Sequence, residues 1–357
     1  MAATELNVGA RKQGRRRMTA LHDYNAAVDF VDRNVADGRG RKTACIDPAR
    51  NLTYSELRDE AARIGPLLAR LGVEREQRIA LVLLDTVDFP VLFWGAIRAG
   101  IIPVLLNTRL TADQYRYLLE DSRAKAVFVS TALLPVVKEA AKDLPTLKSI
   151  IVVGGGPDSM PRLNVLLAAE NEAAAPAHTC ADEVAYWIYS SGTTGNPKGV
   201  MHVHSAPMTM ARAAGQDRIG IREDDLVFSA AKLFFSYGLG NAIFCPMSVG
   251  ATSVFIPSGR HLRPYSKRCA AISRPCSTAF PPCMRPCSLI RSANRRTGRV
   301  DYAYVSRRVS RCRRMLARHG GSASDWTSST ASDRPKWVTS ISPTFRAPWN
   351  TAQPACR

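Results

Sequence analysis

The segment 189–199, Tyr-Ser-Ser-Gly-Thr-Thr-Gly-Asn-Pro-Lys-Gly, constrains the fold more than any other part of the chain. Apolar runs flank it at 184–188 and 200–203, and both are predicted to form β-strands. A loop between strands that holds three glycines and four hydroxyls can direct several backbone N–H groups to one point, beside the lysine. The pattern predicts an oligophosphate site, although the same residue types are common in ordinary surface loops.

Better-known catalytic and nucleotide-binding patterns do not fit. A Walker A loop places Lys-Ser or Lys-Thr at the start of a helix, whereas Lys198 follows a proline and precedes Gly199. The protein-kinase loop needs three spaced glycines before a valine strand. Gly154 to Gly156 run into Pro157 without the third glycine of the dinucleotide fingerprint. The absence of a Gly-x-Ser-x-Gly elbow leaves a serine hydrolase without support.

Strands and helices alternate along residues 20–256. Thr53–Glu56 and Thr111–Gln114 are capping boxes that start two helices. Strand 78–84 is a continuous apolar run after Arg78, as expected when both faces of a sheet are covered. This order predicts a layered α/β fold of mostly parallel sheets with helices on both faces, and 157–181 is predicted as a connector. Other strands are predicted at 43–46, 101–106, 126–129, 149–153, 226–229 and 251–256, and helices at 24–34, 54–71, 87–99, 111–121, 133–141, 204–214 and 238–246.

Charge separates the last hundred residues from the rest. The formal net charge is +19, of which +17 lies in 257–357, where 20 Lys and Arg face three Asp and no Glu. Only 12 of those 101 residues are Leu, Ile, Val or Phe, so this tail is predicted to be disordered. Its Arg307–Arg314 run would suit a nucleic-acid-binding arm. Its cysteines at 269, 276, 283 and 287 fit zinc spacing only in the last pair.

Targeting signals are not visible in the sequence. Residues 11–17 are basic, but no apolar run follows them, and Met18 is an alternative start. We interpret 1–19 as a flexible N-terminus. The most apolar stretch, 89–106, is interrupted by residues that include Gly95, Arg98, Gly100 and Pro103, so no membrane span is predicted. The scattered Cys45, Cys180 and Cys245 fit reduced thiols, and the cytoplasm is the expected location.

All eleven residues of 189–199 match the phosphate loop of the adenylate-forming superfamily, which this chain therefore resembles. Two further segments are similar to benzoate-CoA ligases within that superfamily. Residues 76–100 resemble the first subdomain of those ligases, and 230–241, Ala-Ala-Lys-Leu-Phe-Phe-Ser-Tyr-Gly-Leu-Gly-Asn, resemble their aryl-pocket segment. The resemblance covers about 20–256 and implies an incomplete AMP-binding domain.

The resemblance implies a two-step ATP-dependent reaction. A small aromatic carboxylate forms an acyl-adenylate and diphosphate, and the thiol of coenzyme A then displaces AMP. Mg²⁺ would bridge the phosphates. The phosphate-binding residues implied are Ser190, Ser191, Gly192, Thr193, Thr194, Gly195 and Lys198, and the aryl-pocket residues are Phe235, Ser236, Tyr237 and Gly238.

Three residues near these segments have open roles. Phe234 belongs either to the pocket or to the core. His202 and His204 share one strand face, but two ligands without a third are weak evidence for a metal, and no protein metal ligand is assigned. One of the two histidines is instead a candidate for a position near the pocket.

The region after 256 departs from the resembled family. There the family carries a Gly-Ser-Thr-Glu-like motif for adenine and Mg²⁺, a ribose-binding aspartate and a small domain with a catalytic lysine. None is readable in 257–357, so no catalytic residue is assigned, and weak or no activity is expected of this chain. A shifted reading frame would explain the change, and the neighbouring frame near codon 257 decides it. The alternatives are a ligase for another carboxylic acid and a nucleic-acid-binding protein that uses the tail.

Overall fold

The computed structural model describes residues 23–190 and 195–257, together with the backbone of two later strands. The flexible N-terminus predicted at 1–19 and most of the tail predicted at 257–357 lie outside the described residues. The described residues all fall within one unit, Met1–Arg308, and the second unit, Val309–Arg357, is outside them.

Strands and helices alternate along the chain, which confirms the predicted α/β class. The strands are β1 (Thr43–Ile46), β2 (Asn51–Thr53), β3 (Arg78–Val82), β4 (Ile102–Leu105), β5 (Ala126–Ser130), β6 (Ser149–Val153), β7 (Val184–Ser190), β8 (Lys198–Val203), β9 (Asp225–Ser229), β10 (Thr252–Val254), β11 (Ser288–Ala293) and β12 (Val300–Arg307). The helices are α1 (26–39), α2 (Tyr54–Arg70), α3 (Asp88–Arg98), α4 (Ala112–Ser122), α5 (Leu134–Ala140), α6 (Leu163–Ala168), α7 (206–219) and α8 (236–248).

Two six-stranded sheets organise the fold. The first sheet has the order β6-β5-β3-β4-β7-β8, and all its neighbours are parallel except β7 and β8. The second sheet has the order β11-β12-β9-β10-β1-β2, with β9, β10 and β1 parallel to one another. The mostly parallel arrangement predicted from the sequence is therefore confirmed for the central strands of both sheets.

A hairpin from the tail extends the second sheet. β11 and β12 pair antiparallel, and β12 pairs antiparallel with β9, although the sequence showed no persistent period in 257–357. The sequence of β12, Val-Asp-Tyr-Ala-Tyr-Val-Ser-Arg, is rich in β-branched and aromatic residues, and this local preference is hidden by the arginine-rich average. The average composition of 257–357 therefore does not reveal the local strand preference of these two segments.

Three smaller departures occur elsewhere. The predicted connector 157–181 contains the short helix α6, whose Leu163 and Leu167 are buried. Strand β2 was not predicted, because three residues are too few to show a period. Helix α8 begins two residues before the predicted 238–246 and so includes part of the aryl-pocket segment.

The core lies between the sheets and the helices that cover them. Trp94 of α3 stacks on Phe30 of α1 at 4.9 Å between ring centroids, and Phe93 meets Trp94 edge-on at 4.9 Å. Phe244 of α8 tilts against both rings of α3 at about 6 Å. The other face of the first sheet packs against α4 and α5 through Leu118, Leu119 and Val137. No helix among the described residues is long and apolar enough to cross a membrane.

The capping boxes have the geometry predicted for them. The Thr53 hydroxyl accepts from the Glu56 N–H at 3.2 Å, and the Glu56 carboxylate accepts from the Thr53 N–H at 2.7 Å. The Thr53 N–H and the Thr53 hydroxyl both donate to the Glu56 carboxylate, and these two hydrogen bonds lower the pKa of Glu56. Thr111 and Gln114 repeat the arrangement at the start of α4.

Replacing Thr53 by alanine is expected to lower the free energy of unfolding by about 1 kcal/mol, because an N–H of the first turn of α2 loses its acceptor. Urea unfolding followed by circular dichroism measures this. Thr146→Ala is the matched control, since Thr146 lies in a turn outside any helix and should change stability by less than about 0.5 kcal/mol. Equal effects of the two variants would contradict the assigned cap.

Candidate functional site

The predicted phosphate loop is the turn of an antiparallel hairpin. β7 and β8 pair from Val184 and Val203 up to Ser190 and Lys198, which face each other where the turn begins. The four residues 191–194 lie outside the described residues, so the roles predicted for Ser191, Gly192, Thr193 and Thr194 stay predictions. The strand–loop–strand order inferred from the sequence is confirmed.

The described ends of the hairpin turn leave polar groups open to ligand. The side chains of Ser190 and Lys198 are exposed, and Lys198 has no ion-pair partner among the residues with described side chains. The Ser190 hydroxyl lies 3.5 Å from the Lys198 carbonyl oxygen, to which it donates. Gly195 has φ of +139°, a backbone conformation that favours glycine, and the space beside it is open. A lysine and a serine therefore face each other at the two ends of the hairpin turn.

Helix α4 holds the hairpin on both sides. The Tyr189 hydroxyl donates to the Asp121 carboxylate at 2.5 Å, and the Tyr117 hydroxyl donates to the Pro197 carbonyl at 3.3 Å. Burial and the bond to Asp121 raise the pKa of Tyr189, so its hydroxyl stays protonated as a donor at neutral pH. Sequence analysis missed this anchor, because nothing local to Tyr117 or Asp121 indicates that α4 lies beside the loop.

The predicted aryl-pocket residues lie at the start of α8. Phe235 is 48% exposed, and its ring lies 4.4 Å from that of Phe234, which is only 4% exposed and belongs to the core. The open question about Phe234 is thereby answered in favour of the core. Ser236 is exposed, whereas the Tyr237 hydroxyl oxygen is buried without a hydrogen-bond partner among the described residues. An unpaired buried hydroxyl is costly and suits a ligand that would complete its hydrogen bonding.

Gly238 contacts the backbone that precedes the helix. A Cβ at this position would lie 2.1 Å from the Lys232 carbonyl oxygen and 2.6 Å from that of Ala231. Only glycine fits there, because backbone oxygens cannot move independently of the loop. The packing of α8 on residues 231–232 therefore requires a glycine at position 238.

The two histidines have different surroundings. His202 of β8 stacks on Tyr186 at 4.6 Å between ring centroids, and burial lowers its pKa. His204 is buried, its Nδ1 accepts the Ala26 N–H at 3.0 Å, and burial lowers its pKa to about 4. Among the described residues no group of three His, Cys, Asp or Glu is placed to hold a metal ion.

The hairpin and the aryl segment meet through the core. Both follow the carboxyl ends of strands, β7 in the first sheet and β9 in the second, which is where ligands bind in open α/β sheets. Tyr186 of β7 packs against Phe244 of α8, with 5.9 Å between ring centroids. One aromatic contact therefore joins the strand that leads into the phosphate loop to the helix that carries the aryl segment.

Comparison with known proteins identifies relatives of this arrangement. The family model described as AMP-binding enzyme matches residues 32–325. A 4-hydroxybenzoate–CoA/benzoate–CoA ligase of Rhodopseudomonas palustris is 73% identical over 237 residues, which are 66% of this chain and 44% of that protein. A benzoate–CoA ligase of Thauera aromatica is 46% identical over 235 residues, which are 65% of this chain and 44% of the relative.

Solved structures show the same fold. An anthranilate CoA ligase in complex with anthranoyl-AMP matches with a TM-score of 0.66 and 34% identity, over 71% of this chain and 48% of that one. A benzoate CoA ligase from Burkholderia xenovorans matches with a TM-score of 0.63 and 40% identity, over 69% and 48%. The chain thus spans a little under half the length of these relatives.

Proposed function

Since the chain belongs to the AMP-binding enzyme family, we propose that it carries the acid- and phosphate-binding part of an aryl-CoA ligase. The overall reaction converts benzoate or a related aromatic acid, ATP and CoA into aryl-CoA, AMP and diphosphate. The observation that carries the proposal is the β7–β8 hairpin, in which Lys198 has no ion-pair partner among the residues with described side chains. The chain is also 73% identical over 237 residues to a ligase for 4-hydroxybenzoate and benzoate.

The first step joins a carboxylate oxygen of the acid to the α-phosphorus of ATP, and diphosphate leaves. Negative charge moves onto the departing phosphate oxygens, so positioned cations and N–H groups supply most of the catalysis. We assign Lys198 and Ser190 to those oxygens, together with Ser191, Gly192, Thr193, Thr194 and Gly195 of the loop. In the second step the CoA sulfur attacks the acyl carbon, and AMP leaves with the carboxylate oxygen.

We propose that Mg²⁺ is bound here mainly by the substrate. In ATP sites the ion is usually held by phosphates, water and one or two carboxylates. The ion would neutralise charge on the phosphates when bound.

The aryl acid is assigned to the first turn of α8. Phe235 offers an exposed aromatic face, and the Tyr237 hydroxyl lacks a partner among the described residues. Such a mixture of aromatic surface and hydroxyl groups suits a flat ring with a polar substituent. A panel of acids distinguishes benzoate, hydroxybenzoates and other carboxylic acids as substrates.

Lys198→Ala is expected to weaken ATP binding about 10- to 100-fold, because a charge-assisted contact contributes roughly 1.5–3 kcal/mol. Isothermal titration with ATP and Mg²⁺ measures the dissociation constant. Lys142→Ala is the matched control, since Lys142 is an exposed lysine paired with Glu139. The proposed role is wrong if both variants bind ATP as tightly as the unchanged protein.

Diphosphate–ATP exchange with a panel of aromatic and fatty acids tests the proposed reaction. Weak or no exchange is expected of the present chain, because the adenine, ribose and lysine motifs are not readable in 257–357. The same panel on a chain repaired to the alternative reading frame is expected to show exchange with benzoate or a hydroxybenzoate. Exchange at ordinary ligase rates by the present chain would contradict the first expectation.

A further inference from the structure

We propose that the buried ion pair between Asp85 and Lys232 positions the aryl segment, 233–238, and so sets the affinity for the aromatic acid. The pair is absent from the site residues assigned by sequence. The inference rests on the proposed function, because it concerns how the same acid is held. Its role is to position other groups, without contact with the acid.

The pair joins three strand ends. The Lys232 ammonium donates to the Asp85 carboxylate at 3.0 Å and to the Ile256 carbonyl at 2.9 Å. Asp85 follows β3 of the first sheet, whereas Lys232 and Ile256 follow β9 and β10 of the second. One ammonium group therefore ties the carboxyl ends of the two sheets together beside the aryl segment.

Asp85 also holds the backbone of the aryl segment. Its second carboxylate oxygen accepts the Leu233 N–H at 3.2 Å, and its side chain is 6% exposed. Burial raises the pKa of Asp85, while Lys232 and the Leu233 N–H oppose that rise by favouring the carboxylate. A charge this deeply buried depends on its partners, so loss of either member should displace the other.

Residues next to Asp85 are held to the second sheet as well. The Asp47 carboxylate, just after β1, accepts the Val87 N–H at 2.9 Å. Arg50 pairs with Asp88 at 2.6 Å. The end of the loop 83–88 that leads into α3 is therefore held to residues that follow β1, two to three positions after Asp85.

Displacement of Lys232 would reach the aryl residues through the backbone. The Lys232 carbonyl accepts the Phe235 N–H at 3.0 Å, and the same oxygen lies where a Cβ of residue 238 would be. Since α8 rests directly on this carbonyl, a shift of Lys232 moves Phe235 and the first turn of the helix. The phosphate hairpin is held separately, by α4, and should not move with it.

The test compares acid and ATP affinity in the same variants. Asp85→Asn is expected to weaken benzoate and 4-hydroxybenzoate binding at least tenfold, with ATP affinity changed less than twofold. Equilibrium dialysis with labelled acids and titration with ATP give the two constants. Lys232→Met is expected to weaken acid binding to a similar extent, and it tests the inference if Asp85→Asn does not fold. Lys232→Arg keeps the charge and is expected to retain acid affinity.

Asp32→Asn is the matched control. Asp32 pairs with Arg98 in a similarly buried setting between α1 and α3, away from the aryl segment, so its loss should lower stability and leave acid affinity unchanged. If Asp85→Asn lowers only stability, as Asp32→Asn does, the inference is overturned and the pair only fastens the sheets. If the unchanged protein binds ATP but none of the acids, the proposed function fails and takes this inference with it.

Discussion

Replacement of Gly95 by alanine is expected to lower the free energy of unfolding by about 2–3 kcal/mol, since overpacking of a filled core costs about 1–3 kcal/mol and sometimes more. A Cβ on Gly95 of α3 would lie 2.5 Å from both Cβ and Cγ1 of Ile64 and 2.9 Å from the Ala61 carbonyl oxygen, both on α2. The gain of roughly 1 kcal/mol in helix propensity offsets only part of the cost of separating the helices.

Guanidinium unfolding monitored by fluorescence and circular dichroism measures the effect. Gly155→Ala is the matched control, because no atom lies within 4 Å of its added Cβ and its φ is outside the left-handed region. That control should change stability by less than about 0.5 kcal/mol. A Gly95→Ala protein as stable as the control would show that α2 and α3 do not cross as closely as described.

The elements most accurately predicted are those specified by neighbouring residues. The Thr53 and Thr111 caps lie within three residues of their partners, so the sequence alone contains the interaction. The run 79–82 is buried on both faces of the first sheet and is apolar throughout, which is sufficient to predict a central parallel strand. Local preference and burial agree at these positions.

Long-range pairing could not be predicted in the same manner. Cys45 of β1 lies beside Ser253 of β10, and nothing near either residue specifies the other. The division of the strands into two sheets therefore emerged only from the structure. The close crossing of α2 and α3 at Gly95 could not be predicted either. The sequence contains a glycine in an apolar helix, but it does not indicate that the Ile64 side chain lies against that glycine.

The candidate site shows the same difference between features specified by neighbouring residues and features specified by distant ones. The order of residues in the hairpin was enough to predict a phosphate loop, and the resemblance placed the aryl segment. The groups that fix both segments join distant residues: Tyr189 and Asp121 are 68 positions apart, and Asp85 and Lys232 are 147 apart. Asp85 belongs to a loop that is at least half-buried, and Asp121 lies at an exposed helix end. Neither carboxylate has a distinguishing local sequence pattern.

His204 is expected to make the fold less stable below about pH 6.5. Burial is the main cause of its lowered pKa of about 4, with a further lowering by Arg75 and an opposing effect of Glu183. Its Nδ1 accepts the Ala26 N–H, so a proton at Nδ1 would replace that acceptor by a donor. Between about pH 6.5 and pH 4 the unfolded chain binds a proton that the folded chain does not, and stability is lost as the pH falls.

The difference between the unchanged protein and His204→Asn isolates this effect. Asparagine keeps an acceptor for the Ala26 N–H and does not titrate, while groups common to both proteins, including Asp85 with its raised pKa, cancel. Relative to the variant, the unchanged protein should lose about 3 kcal/mol of unfolding free energy between pH 7.5 and pH 4, at about 1.4 kcal/mol per pKa unit.

His178→Asn is the control, because that side chain is 92% exposed and the stability curve of this variant should run parallel to that of the unchanged protein. Parallel curves for His204→Asn would mean that His204 titrates alike in the folded and unfolded chains, so that the contact between its ring and the start of α1 does not persist in solution.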